Sequence, residues 1–134
     1  KQTLLDYLER PDNRRLAMAN PRLAPYGAAA RQALLDAGFW NSLSDRLVLG
    51  ENVAQVYLFI DSGNAELGFV AASQLLSRQA SGTGSYALLP SESHPPIEQQ
   101  AVQLRELAEA EEFLAFLRSE TAREIIARHG YGLP

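Results

Sequence analysis

The run Arg15-Leu16-Ala17-Met18-Ala19, closed by Asn20-Pro21 and followed by Leu23-Ala24-Pro25-Tyr26-Gly27, decides how the rest of the chain is read. The run is short, apolar and bounded by turn formers, which predicts a buried strand despite the weak intrinsic strand propensity of its alanines. Asn20 to Gly27, with two prolines, predicts a loop. Ala28 to Ala37 predicts a helix, with Ala30, Ala33, Leu34 and Ala37 at helical spacing and Gly38 as its C-terminal stop.

The same order then repeats. Arg46 to Leu49 reads as a second strand, and Asn52 as an N-cap with Gln55 three residues on. Val53 to Asp61 reads as the next helix, closed by Gly63, and Leu67 to Ala71 as a third strand. Before this unit, Thr3 to Glu9 reads as a short helix ended by Pro11. After it, Ser73 to Ser77 reads as helical, Gln79 to Gly84 as a polar loop, Ser85 to Leu89 as strand, Pro90 to Pro96 as an irregular connection and Ile97 to Leu104 as an extended return. Glu109 to Arg118 and Glu120 to Arg128 read as two helices, with Ser119 as N-cap between them and Gly130 beyond the second. Strands alternating with helices predict an α/β fold: a mostly parallel sheet flanked by helices.

Composition narrows the function. The 134 residues carry a formal net charge of −4, which disfavours binding to a phosphate backbone and hence to nucleic acid. There is no Cys, so disulfides, thiolate metal sites and Cys nucleophiles are excluded. No apolar run approaches the roughly 18 residues of a membrane span. His94 lies in a Pro-rich loop and His129 in the last turn of a helix, where a cationic ring complements the dipole; both read as structural. Glu109, Glu111 and Glu112 read as a solvated first helical turn rather than a metal site. No HExxH, GxSxG or Walker-type loop is present, and no constellation points to an enzyme or a cofactor.

Two helix starts carry the chemistry that remains. One follows Leu23-Ala24-Pro25-Tyr26-Gly27 and the other follows Gly50-Glu51-Asn52. In a parallel α/β sheet such strand-to-helix loops gather at the carboxyl ends of the strands, where ligands bind. Each start exposes backbone N–H groups and about half a positive charge from the aligned peptide dipoles. Two of them converging make an anion site without Lys or Arg, although every α/β domain has loops of this kind.

The segments Leu16 to Gly27, Leu47 to Gln55 and Gly63 to Ala71, then Ser93-His94-Pro95-Pro96-Ile97-Glu98-Gln99 and the ending Gly130-Tyr131-Gly132-Leu133-Pro134, resemble in the same order the periplasmic molybdate-binding proteins of ABC importers. The resemblance implies one lobe of a class II periplasmic binding protein plus C-terminal helices: a second ligand-binding lobe with its return hinge segment over 1–104, and helices over 105–134 that pack toward a first lobe or a partner chain. It implies that molybdate or tungstate is held in the cleft between lobes by neutral donors, here the backbone N–H groups of Tyr26 and Val53, with Pro25, Gly27 and Asn52 behind them and no direct metal ligand. Some family members place a tyrosine hydroxyl on the ligand from the position of Ala71, and that contact is absent here. The first-lobe segment with serine or threonine donors has no counterpart, so the chain is expected to be a fragment that binds the anion weakly. The apolar faces of its C-terminal helices predict self-association.

The implied role is an extracytoplasmic receptor, not an enzyme, that hands its anion to an importer permease. The alternatives are a class II receptor for another oxyanion, such as sulfate or phosphate, and the effector-sensing lobe of a transcription regulator.

Overall fold

The structure, a computed structural model, describes residues 8–9, 14–77 and 84–133. It divides into two compact units, Lys1–Ala71 with Gly84–Ile97 and Ala72–Thr83 with Glu98–Pro134. The first unit is built on a parallel sheet of three strands in the order β2-β1-β3. Strand β1 spans Leu16–Ala19, β2 Leu47–Gly50 and β3 Leu67–Gly68. Leu16 pairs with Leu47 on one side and with Leu67 on the other, so β1 is central.

Central position explains why four small and medium apolar residues suffice for a strand. All four residues of β1 are buried. A parallel strand covered on both faces reads as a continuous apolar run rather than an alternating one. The alternation survives as side-chain size. Leu16 and Met18 point into a cluster with Ala30, Leu34 and Leu43, flanked by Phe39 and Trp40. Ala17 and Ala19 point the opposite way, against Val56 and Ala65, flanked by Phe59 and Ile60.

Helix α1, Pro25–Asp36, therefore covers one face of β1, and helix α3, Val53–Asp61, covers the other; a single helical turn, α2, spans Trp40–Leu43. Right-handed crossovers produce this arrangement. The step from β1 to β2 runs one way across the sheet with α1 on one face. The step from β2 to β3 runs back across β1, so its helix must lie on the other.

Several boundaries differ from the sequence reading. Helix α1 begins at Pro25 rather than Ala28, because Pro at N1 has its ring dihedral already set for a helix and lacks only an N–H that has no helical acceptor. The third strand is confined to Leu67–Gly68, although Phe69 still donates to the Ala17 carbonyl at 2.9 Å. Ser85 to Leu89 is not a strand: it has no ladder partner among the described residues, and Tyr86 and Leu88 are exposed. Ser91–Ser93 forms a 3-10 turn in the irregular connection, and Ile97 to Leu104 has no regular secondary structure. The helix expected over Thr3 to Glu9 lies outside the described residues except for Leu8 and Glu9; Leu8 is buried in the α1 cluster. The loop expected over Gln79 to Gly84 lies outside them except for Gly84.

The second unit holds helices α4, Ala72–Ser77, α5, Ala108–Leu117, and α6, Glu120–Arg128. Ser119 caps α6 as expected, its hydroxyl accepting from the Ala122 N–H at 3.3 Å. Phe113, Phe116 and Ile125 are exposed.

Gly27 shows how closely the helices approach the sheet. A Cβ at this position would collide with the Ala19 carbonyl and lie 2.8 Å from the Asn20 carbonyl carbon. Gly27→Ala should therefore lower the unfolding free energy by about 3 kcal/mol, as overpacking against unyielding backbone does. Gly84→Ala, where nothing lies within 4 Å, should leave it unchanged. Urea unfolding of both variants checks this; equal midpoints would contradict the close approach.

Candidate functional site

The carboxyl ends of β1 and β2 are joined beyond the last strand pair. Ala19 pairs with Gly50, and the Asn20 N–H then donates to the Gly50 carbonyl at 2.7 Å. From this shared edge the two chains part. The loop after β1 leads to α1 on one face, and the loop after β2 leads to α3 on the other. Adjacent parallel strands whose connections leave to opposite faces form a crevice at their carboxyl edge, the usual ligand position in open α/β sheets. Tyr26 and Val53 lie in the first turns of the two helices that begin there, and both are half-buried.

The first loop is organised by Asn20. Its side-chain Oδ1 accepts from the Arg22 N–H at 3.0 Å, and its carbonyl accepts from the N–H groups of Leu23 and Ala24, both at 3.0 Å. The first bond closes an Asx turn, the local structure that Asn favours because its amide mimics a backbone turn. Ala24 is the N-cap of α1 and supplies no side-chain cap, and Pro25 occupies N1. Gly27 completes the turn against the end of β1.

The second loop is capped from both directions. Asn52 Oδ1 accepts from the Gln55 N–H at 2.9 Å, as its position predicts. Gln55 Oε1 accepts in return from the Glu51 N–H at 2.7 Å. This is the reciprocal logic of a capping box displaced by one residue, since the returning side chain reaches Glu51 and not the N-cap itself.

The site is electrically neutral at its base. No charged or polar side chain is buried among the described residues, and no group of His, Asp or Glu there could hold a metal ion. Glu51 and Arg22 are exposed. The attraction available to a ligand is that of two helix N-termini, favouring an anion.

Both histidines contact nearby backbone carbonyls. His129 Nδ1 lies 2.8 Å from the Ile125 carbonyl at the end of α6, and His94 Nδ1 lies 2.8 Å from the Pro95 carbonyl. Glu109 and Glu111 lie in the first turn of α5, and Glu109, Glu111 and Glu112 are exposed. Ala71 is buried, at the end of the first unit. Sequence reasoning missed Asn20 as the organiser of the first loop. The Asn-Pro pair marks a turn, but the bond to Gly50 joins residues far apart in sequence and cannot be read locally.

Comparison with known proteins identifies the family and the fold. The family model of bacterial extracellular solute-binding proteins matches residues 1–132. The molybdate-binding protein ModA of Rhodobacter capsulatus is 40% identical over 123 residues, covering 90% of this chain and 48% of its own. ModA of Azotobacter vinelandii is 40% identical over 121 residues, covering 88% of this chain and 48% of its own. The chain thus spans about half the length of these relatives. The solved structure of the Azotobacter vinelandii periplasmic molybdate-binding protein superposes with a TM-score of 0.85 at 37% identity, covering 95% of this chain and 57% of that one. The substrate-binding domain of a Clostridium difficile protein described as a putative molybdenum ABC transporter shares the fold, with a TM-score of 0.74 at 22% identity.

The cap of α3 gives a direct check on the second loop. Asn52→Ala should cost about 1 kcal/mol of stability by freeing the Gln55 N–H, and Asn52→Ser, which keeps an oxygen acceptor, should recover most of it. Denaturant midpoints test the pair; an Ala variant as stable as the parent would show that the cap does not hold the helix start.

Proposed function

The chain belongs to the bacterial extracellular solute-binding protein family, and from that premise we propose that it forms part of a molybdate receptor. In this reading the backbone N–H groups of Tyr26 and Val53 donate to the oxyanion from the crevice at the carboxyl edge of β1 and β2. Pro25, Gly27 and Asn52 shape the two turns behind them. Tungstate, with the same charge and shape, is the second ligand. The receptor works outside the cytoplasm and delivers the anion to an ABC importer. It is a binding protein and not an enzyme, in keeping with relatives named for binding.

One observation carries the reading. Two helix starts lie at the carboxyl ends of adjacent parallel strands joined by the Asn20–Gly50 bond, in a chain 40% identical to proteins named for molybdate binding.

Taking a dianion from water is costly. An unpaired charge is expensive to bury, so each oxygen must receive hydrogen bonds. Hydrogen bonds to charged groups contribute roughly 1.5–3 kcal/mol each. Peptide N–H groups fixed by helix geometry need little reordering when the ligand arrives, which raises the net gain. They do not titrate near neutral pH, and they cannot accept a proton. A donor facing a protonated oxygen would meet another donor, so such a site selects the fully deprotonated anion.

Molybdate and tungstate should raise the midpoint of thermal unfolding of the complete protein, and sulfate at equal concentration should raise it far less. Equal stabilisation by sulfate would refute molybdate as the ligand while leaving an oxyanion site.

Val53→Pro removes one donor and should weaken molybdate binding by about tenfold to a hundredfold in calorimetry, the equivalent of one charged hydrogen bond. Tyr26→Phe keeps the backbone donor and should change affinity little. Unaltered affinity in a folded Val53→Pro variant would remove Val53 from the site.

A further inference from the structure

We propose that Asn20 is a positioning residue for the anion site: it sets the spacing of the two helix starts without itself touching the ligand. The inference rests on the reading that Tyr26 and Val53 donate to the anion.

Asn20 bonds at once to the first loop and to the end of β2. Its N–H reaches across to the Gly50 carbonyl at 2.7 Å, and its carbonyl receives the N–H groups of Leu23 and Ala24 at 3.0 Å. Its Oδ1 receives the Arg22 N–H at 3.0 Å. Ala24 is the N-cap of α1 and lies two positions before Tyr26. Gly50 lies two positions before Asn52, the N-cap of α3, and three before Val53. The path from one helix start to the other through this residue is therefore short, with hydrogen bonds from Ala24 to Asn20 and from Asn20 to Gly50.

The residue type matters because a proline comes next in the chain. Pro21 holds Asn20 away from helical backbone angles and has no N–H of its own. Arg22 carries the first N–H after Asn20, and the Asn side chain is long enough to receive it, closing the Asx turn. With Ala at position 20 the backbone bonds have no side chain to hold the turn that aims them. The loop then samples more conformations before binding, and fixing it counts against affinity. Asp carries the same oxygen acceptor and should hold the same turn. A residue that only stabilised the fold would lower the unfolding midpoint without changing affinity once the protein is folded.

The test compares Asn20→Ala and Asn20→Asp in the complete protein, with sodium molybdate as probe, at a temperature where both variants are folded. Calorimetry should show Asn20→Ala about fivefold weaker than the parent, the worth of one hydrogen bond. Amide exchange followed by NMR without ligand should speed up at Tyr26 and Val53 in the Ala variant and not in the Asp variant. Parental affinity in the Ala variant would overturn the proposal. Exchange at Tyr26 and Val53 as fast in the Asp variant as in the Ala variant would overturn it too, by showing that the side-chain oxygen does not hold the turn. If the parent binds no molybdate, the functional reading fails on its own. The exchange measurement then decides the positioning role, and unchanged exchange at Tyr26 and Val53 overturns it.

Discussion

Burying β1 on both faces is the constraint that shapes the rest of the first unit. Its four residues sit at the middle of the sheet, with Leu16 and Met18 packed toward α1 and Ala17 and Ala19 packed toward α3. A helix must cover each face to keep the strand dry. Right-handed crossovers then fix the order β2-β1-β3, because the chain has to reverse direction across the sheet to place α3 opposite α1. That reversal opens the carboxyl edge between β1 and β2. The placement of both turns at this edge thus follows from covering a strand on its two faces.

Polar groups enter only to fix the two turns at that edge. Asn20 and the Asn52–Gln55 pair use side-chain amides, which hydrogen-bond backbone groups without bringing charge. A site read as selective for a small dianion gains from this neutrality in two ways. Fixed carboxylates would repel the ligand, and lysine or arginine would attract any anion, protonated or not. Helix N-termini give a modest field with fixed direction, so selectivity falls to the number and placement of donors. The relatives that match most of this chain are named for molybdate, and a TM-score of 0.85 to one of them shows the same overall fold.

Much of this is legible in the sequence, for reasons that can be named. The Leu16–Ala19 run between polar flanks marks a central strand, and Asn52 with Gln55 marks a helix start that the structure places at the expected residue. Gly38, Gly63 and Gly130 mark helix ends, and each has a positive φ. Local rules fail where a local pattern has two meanings. Pro25 reads as a loop residue, yet Pro is also a good first helical residue, and α1 starts there. Ser85 to Leu89 has the composition of a strand, but a strand exists only with a partner, and none lies beside it among the described residues. For the site, the sequence locates both turns by their caps and prolines. It cannot show that they are neighbours, since that depends on the register between Ala19 and Gly50 and on the Asn20 bond beyond it.

The central claim is that two backbone N–H groups, one from each helix start, hold the anion. Titrating the isotopically labelled complete protein with molybdate and following its backbone amides by NMR tests it most directly. The account predicts that the amide resonances of Tyr26 and Val53 move most and move together, saturating at one equivalent of anion. Saturable binding that leaves both amides in place, with the largest changes elsewhere, would contradict it.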